Sequence, residues 1–275
     1  MFRMLKSFIN RRMKIDVDPN DLVLDVGSGD KPHWRADVLL EKFPSKMYAN
    51  QRSEGGHAVI DRWTILGDVQ DMPFRDKAFD YVICSHLLEH VENPNCAIQE
   101  LERVGKRGYI EVPFEGAQKL IDFPSHLWYV HSEEGTLVFT AKQSQVFDLY
   151  IQQLMQTMVD KGIWGKFTSL YFDECIVTKH WQGKIPFEIR GELSERVNHA
   201  EMIFPESPLR FTPFRRGARA ILFGFMRFVY KNWTSHSEVD IESLLRCRKC
   251  GSEEFDAKKV GYFCRSCGEL ISVLR

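Results

Sequence analysis

With 275 residues, the chain is long enough to bury a large core and to carry one main domain with smaller attachments. Hydrophobic and charged fractions of 44% and 27% are those of a soluble globular protein, and a net charge of −1 removes any global electrostatic case for nucleic acid or membrane. No window reaches the ~20 uninterrupted apolar residues of a membrane span.

The start, 1-MFRMLKSFINRRMKI-15, is basic but lacks the apolar core and small-residue cleavage site of a secretory signal, so residues 1–20 read as a basic arm. The apolar run 22-LVLDV-26 ends in a glycine turn and reads as a buried parallel strand. Further strands are expected at 37-DVLLE-41, 63-WTILG-67 and 79-FDYVIC-84, the last feeding a helix-like 86-HLLEHV-91. Asn93-Pro94 starts a helix over about 95–104, and the breaker Gly105-Lys106-Arg107-Gly108 introduces a fifth strand, 108-GYIEVP-113. Strands alternating with helical stretches imply βαβ units, with ligands at the carboxyl ends of the strands.

Beyond Pro113 the rhythm changes. A hairpin is expected at 127–130 and 136–140, then a helix over about 144–160, then a second hairpin within 174–190 turned at Gln182-Gly183. Either hairpin could complete the main sheet. Residues 191–215, rich in proline and charge, read as a linker or loop before 217-GARAILFGFMRFVYKNW-233. Four segments result: the arm, a core over 21–142, a substrate or lid region over 143–240, and a module over 241–275.

The turn 27-GSG-29 fits neither common nucleotide loop. Lys31 is followed by Pro32 where a phosphate loop needs Ser or Thr, and Pro32 replaces the third small residue of the dinucleotide fingerprint. Asp25 and two glycines remain, suited to an amino-acid zwitterion joined to a nucleoside. In ordered pieces over roughly 20–115, the chain resembles the class I S-adenosylmethionine-dependent methyltransferases. The pieces are VLDVGSG, an acid closing the second strand, 67-GDVQDMPF-74 and 79-FDYVICSHLLEHV-91.

The resemblance implies a Rossmann-like α/β fold with a mostly parallel, seven-stranded sheet. It implies that Asp25, Gly27, Ser28 and Gly29 wrap the methionine portion of the cofactor and that Glu41 holds the ribose hydroxyls. Asp68 would meet the adenine amino group, Val69 would lie near the ring, and Ser85 and His86 would border the methionine end. The path from Val26 to Asp37 is short for a crossover helix, so a register with the second strand at 46-KMYAN-50 stands beside the preferred one ending at Glu41. In the preferred register, Lys42 to Arg62 is a loop beside the site, and Pro32 starts a short helix or bends the chain.

Methyl transfer from a sulfonium needs an aligned nucleophile and, for a hydroxyl, a base within reach. Candidates are His86, Glu111 at the end of the fifth strand, and His126, flanked by Pro124, Ser125 and aromatics in a lid that faces the substrate. Residues 86–90 also match H-x-x-E-H, in which two helical histidines bind zinc beside a glutamate base. No third ligand is evident downstream, so that peptidase reading is set aside and His90 reads as a helix histidine packed on the sheet.

Near the C-terminus, 247-CRKCGSEEFDAKKVGYFCRSCG-268 is CxxC-x13-CxxC. Two such knuckles present four thiolates, so Cys247, Cys250, Cys264 and Cys267 read as ligands of a structural zinc ion in a ribbon whose core is too small to fold without it. Mixed charges on the ribbon argue against a dedicated nucleic-acid surface. Cys84, Cys96 and Cys175 read as buried thiols in a reducing, cytoplasmic setting.

The stretch 210–231 carries Arg210, Arg215, Arg216, Arg219, Arg227 and Lys231 among phenylalanines and no acid. It reads as a helix packed on the main domain with arginines snorkelling outward, or else as an interfacial helix touching an anionic membrane. The expected activity is methylation of an O or N nucleophile of a small-molecule or glycan-type substrate. The alternatives are an RNA or protein methyltransferase docking through the ribbon, and a non-catalytic methyltransferase-like interaction module.

Overall fold

The computed structural model describes residues 15–44, 58–120, 125–142, 149–193, 221–230 and 239–275. The N-terminal part of the basic arm, most of the loop after Lys42, Pro124 and nearly all of 191–220 lie outside them.

Strands β1 (Val23–Val26), β2 (Val38–Glu41), β3 (Trp63–Leu66), β4 (Phe79–Ser85) and β5 (Gly105–Pro113) form the parallel centre of a sheet. Their order is β3-β2-β1-β4-β5, so the chain reverses direction of travel across the sheet between β1 and β4. Ligands collect at such a switch point because the loops leaving the two neighbouring strands diverge there. The apolar runs read as continuous because both faces are covered: all four residues of β1 and of β2 are buried. The second strand is therefore 38–41, and the alternative at 46–50 falls outside the described residues.

Helix α1 (Pro94–Val104) begins as its sequence dictates. Asn93 caps it by accepting the Cys96 N–H, Pro94 fills the first turn, and Ala97, Ile98, Leu101 and Val104 pack into the main core. Cys96 is only partly buried, unlike Cys84 and Cys175. The expected breaker at 105–108 is instead the beginning of β5. A Cβ on Gly108 would stand 2.3 Å from the Val82 carbonyl, so the missing side chain is what lets β4 and Trp181 close on it.

No α-helix fills the β1–β2 crossover; Pro32 bends the chain through turns. Buried arginines supply the donors a compact path needs. Arg62 donates to the carbonyls of His33 and Ala36, and Arg35 to those of Pro19 and Asp21.

After α2 (Glu115–Leu120) come β6 (Trp128–Glu133) and β7 (Thr136–Ala141), the expected hairpin. Helices α3 (Leu149–Asp160), α4 (Ile163–Leu170) and α5 (Phe172–Cys175) lead to β8 (Ile176–Gln182) and β9 (Phe187–Arg190). The second expected hairpin does not form. Strand β8 completes the main sheet antiparallel to β5, while β9 joins β7 in parallel within a separate three-stranded sheet. Gly183, with φ +74°, turns the chain between the two sheets.

Residues 221–230 are helical (α6). The final strands β10 (Phe255–Lys258), β11 (Gly261–Cys264) and β12 (Leu270–Leu274) form an antiparallel ribbon whose last strand pairs antiparallel with β3. The ribbon thereby extends the main sheet, which among the described residues has nine strands rather than the expected seven. Its residues Leu245, Phe255 and Ile271 belong to the same core as Phe74 and Ile65, so the ribbon does not rely on a core of its own.

Candidate functional site

A cleft opens along the carboxyl ends of β1–β4. It is lined by Gly27 and Gly29 after β1, Glu41 ending β2, Asp68 and Val69 after β3, and His86 after β4. Residues far apart in sequence meet here because parallel strands present their following loops on one edge of the sheet.

The glycine loop is built to come close to a ligand. Gly27 (φ +64°) and Gly29 (φ +56°) both take left-handed backbone, and a Cβ on Gly27 would lie 2.8 Å from the Leu87 side chain. The buried Glu41 carboxylate accepts the Gly29 N–H at 2.8 Å and the Phe43 N–H at 3.2 Å, tying the glycine loop to the end of β2. Asp25 is buried behind the loop and accepts the His33 N–H at 2.7 Å, and Ser28 accepts the Lys31 N–H through its carbonyl. Neither Asp25 nor Ser28 lines the cleft; both shape the loop that does.

On the far side, the Asp68 carboxylate meets the Lys42 ammonium at 2.6 Å and accepts the Gln70 N–H. Burial works to raise its pKa, but the bonds from Lys42 and Gln70 outweigh it and hold the carboxyl below its usual range. Lys42 itself lines the cleft, a residue whose only sequence signal is its place directly after Glu41.

At the end of β4, His86 adopts left-handed backbone (φ +53°) and its N–H donates to the Glu111 carbonyl. Its Nε2 lies 2.9 Å from Glu111 Oε1 and its Nδ1 3.5 Å from Glu89 Oε1. Desolvation lowers the imidazole pKa, yet the carboxylates of Glu111 and Glu89 outweigh it and push it up to about 9. His86 is thus an imidazolium at neutral pH, and a cation has no lone pair with which to act as a base. Buried Glu111 is occupied as well, accepting from Tyr109 Oη at 2.8 Å and from Ser85 Oγ at 3.3 Å. Ser85 and Glu111 lie outside the cleft lining.

The segment 86–91 is not an α-helix; only Leu88–His90 form a 3₁₀ turn. It is held by segment 125–128: Leu127 N–H donates to the Glu89 carbonyl, Trp128 Nε1 to the Val91 carbonyl, and His90 Nδ1 to the Ser125 carbonyl. His126 packs edge-on against His90 with ring centroids 4.7 Å apart, and Glu89, His90 and His126 bring ligand-type atoms within 4.8 Å of one another. Burial foremost, with the nearby His86 and Lys142 cations, holds the His126 pKa well below its ordinary value. His126 is accordingly neutral, although it does not line the cleft.

The four ribbon cysteines converge as the spacing predicts. Cys247 and Cys267 Sγ are 3.5 Å apart, as are Cys250 and Cys264, and all four lie within 4.8 Å. Each CxxC closes in the same way: Gly251 N–H donates to the Cys247 carbonyl and Gly268 N–H to the Cys264 carbonyl, both glycines with φ +75°. That arrangement fits a tetrahedral thiolate-bound ion. The ribbon docks through Arg75, which donates to the Leu245 and Glu253 carbonyls, and through the Arg246 N–H to the Pro73 carbonyl.

Helix α6 does not snorkel its described arginine. Arg227 points inward to the carbonyls of Ala36 and Trp34, whereas Ile221, Phe225 and Phe228 are 76%, 62% and 66% exposed. Among the described residues no helix is long and apolar enough to cross a membrane.

Residues 24–110 match the family described as a methyltransferase domain. A 44-residue stretch is 43% identical to the uncharacterized protein MJ1123 of Methanocaldococcus jannaschii, covering 16% of this chain and only 22% of that relative's length. Among solved structures, the PH0226 protein from Pyrococcus horikoshii is similar at 20% identity over 57% of this chain and 79% of that one, with a TM-score of 0.32. A chain from the complex between the Haloferax volcanii Trm112 methyltransferase activator and its candidate methyltransferase is similar at 14% identity over 65% and 93% of the two chains, with a TM-score of 0.36.

Proposed function

We propose that this chain, a methyltransferase of the S-adenosylmethionine-dependent type by its domain at residues 24–110, moves the methyl group to an oxygen or nitrogen of a small-molecule or glycan-type acceptor. The observation that carries the reading is the single cleft in which Gly27, Gly29, Glu41, Asp68, Val69 and His86 meet. The cofactor supplies the reactive carbon and its leaving group when bound. The glycine loop gives backbone approach for its amino-acid end, Glu41 stands where two hydroxyls would reach it, and Asp68 and Val69 offer an acceptor and an apolar wall for a base.

The proton-handling roles divide by charge state. His86, held cationic by Glu111 and Glu89, orients the end of β4 and adds positive charge to the cleft. Neutral His126 is the better candidate to take a proton from an acceptor hydroxyl. Asp25, Ser28 and Ser85 serve the shape of the cofactor loop and of β4. Zinc in the four-cysteine ribbon has a structural role, since all four donors are thiolates and none is left open for a substrate.

Titration calorimetry with S-adenosylmethionine tests the reading. Micromolar-range binding that weakens in Glu41→Ala and Asp68→Ala supports it, and no heat with correctly folded wild-type protein would instead leave a methyltransferase-like interaction module. The outward apolar face of α6 supports peripheral contact with an anionic membrane. Absence of flotation with anionic vesicles at low salt would remove that contact.

A further inference from the structure

Glu89 is 0% exposed, and neither of its carboxylate oxygens accepts a hydrogen bond. Burying a carboxylate without partners costs several kcal/mol, so such a group calls for a counter-charge. The nearest ring nitrogen is that of His86, whose Nδ1 lies 3.5 Å from Oε1 while its Nε2 is committed to Glu111 at 2.9 Å. One imidazole lies between two buried carboxyl groups, and its shorter contact is to Glu111, which leaves room for a cation at Glu89.

The side chains around Glu89 suit a metal ion. His90 Nδ1 lies 2.8 Å from the Ser125 carbonyl, which can only accept, so Nδ1 carries the proton and Nε2 presents the lone pair. That Nε2 is 3.9 Å from Glu89 Oε1. His126 Nδ1 lies 2.9 Å from Gln118 Oε1, and the Gln118 amide nitrogen donates to the Pro113 carbonyl. The amide is thereby oriented with its oxygen as acceptor, which assigns the proton of His126 to Nδ1. Two imidazoles each anchored through one nitrogen by an oxygen acceptor, beside a carboxylate, is the arrangement that fixes metal-binding histidines in place.

We propose that Glu89, His90 and His126 form a second metal site, taking a divalent transition-metal ion of borderline softness such as zinc or cobalt. The three are not a peptidase motif: His86 of H-x-x-E-H is turned to Glu111, and the second imidazole comes from the 125–128 segment. The ligand set is therefore assembled by hydrogen bonds between that segment and the turn after β4. His90 and His86 also line the cleft. On the methyltransferase reading, which this consequence rests on, the ion would stand beside the acceptor, where a coordinated hydroxyl gives up its proton to solvent more readily. The metal-loaded His126, with Nε2 on the ion and Nδ1 held by Gln118, would then be a ligand and not the base.

Cobalt(II) titration of the full chain, with its ribbon already loaded with zinc, separates the two sites by colour. Binding to a nitrogen–oxygen site gives visible d–d bands without the near-ultraviolet thiolate charge-transfer of a four-thiolate site. The expected result is about one equivalent of such binding in wild type, weakened by about tenfold or more in Glu89→Gln and in His126→Asn. Circular dichroism melts identify a variant that fails to fold, and the other variant then decides. No bands, bands only with thiolate charge-transfer, or bands unchanged in the folded variants would each overturn the proposal. Calorimetry with S-adenosylmethionine on the same samples keeps the two readings apart, since lost cofactor binding would strike the methyltransferase reading and leave the cobalt result intact.

Discussion

The cleft and the ribbon both gather ligand-type groups, by opposite routes. In the ribbon, each pair of thiols is set by hydrogen bonds from a residue to its near neighbour, Gly251 to Cys247 and Gly268 to Cys264. In the cleft, Gly29, Glu41, Asp68 and His86 share no local contact rule and meet only because β1–β4 lie in register. A locally determined site is vulnerable to loss of its ion. A register-determined site is vulnerable to any change that moves one strand end.

The largest expected effect is on the ribbon. Chelation of its ion, or Cys250→Ser, removes binding free energy that in structural zinc sites is on the order of 10 kcal/mol. Hydrogen exchange should then show β10–β12 losing protection while β1, β4 and β5 keep theirs. Simultaneous loss across the whole sheet would break the comparison, making the ribbon part of one cooperative unit with β3. The cleft should respond most to Gly27→Ala, which adds about 1–2 kcal/mol of left-handed strain and a clash with Leu87. Cofactor affinity should fall by on the order of 100-fold in calorimetry, and unchanged affinity would remove the loop from the site.

Glu41→Ala deprives the Gly29 and Phe43 N–H groups of their charged acceptor. At about 1.5–3 kcal/mol per such bond, cofactor binding should weaken roughly ten- to a hundredfold with little change in the ribbon. His86 adds a pH test. Its pKa is raised in the folded state from 6.5 to about 9, so the stability it contributes is fully present below pH 6.5 and is lost as pH rises through about 9. The difference in melting temperature between wild type and His86→Asn should shrink across that window; a constant difference would mean that Glu111 and Glu89 do not hold the ring charged. Smallest is Ser85→Ala, at about 1 kcal/mol or less, because Glu111 keeps its bonds from Tyr109 and His86.

Much of the cleft was legible. The buried runs of β1, β2 and β4 and the Asn93-Pro94 helix start follow from hydrophobic patterning and capping chemistry, which are local, whereas Glu41 stood out only through the family resemblance. Less legible was the β1–β2 crossover, where Arg35 and Arg62 replace a helix by donating to backbone carbonyls, because nothing in a lone arginine announces a buried role. The 174–190 segment read as a hairpin because a glycine turn joins two strands. Its strands part into different sheets, β8 pairing along β5 and β9 along β7, contacts between distant segments that a local turn signal does not show.

Sequence alone determined the parallel α/β core, the glycine turn and the four-cysteine spacing, since each rests on near-neighbour geometry and on which residues avoid water. Only tertiary structure decided that the ribbon extends the sheet at β3, that His86 is cationic and that His126 stands beside Glu89 and His90. Those facts depend on contacts between segments distant in the chain, and such contacts carry no period or spacing that a sequence can display.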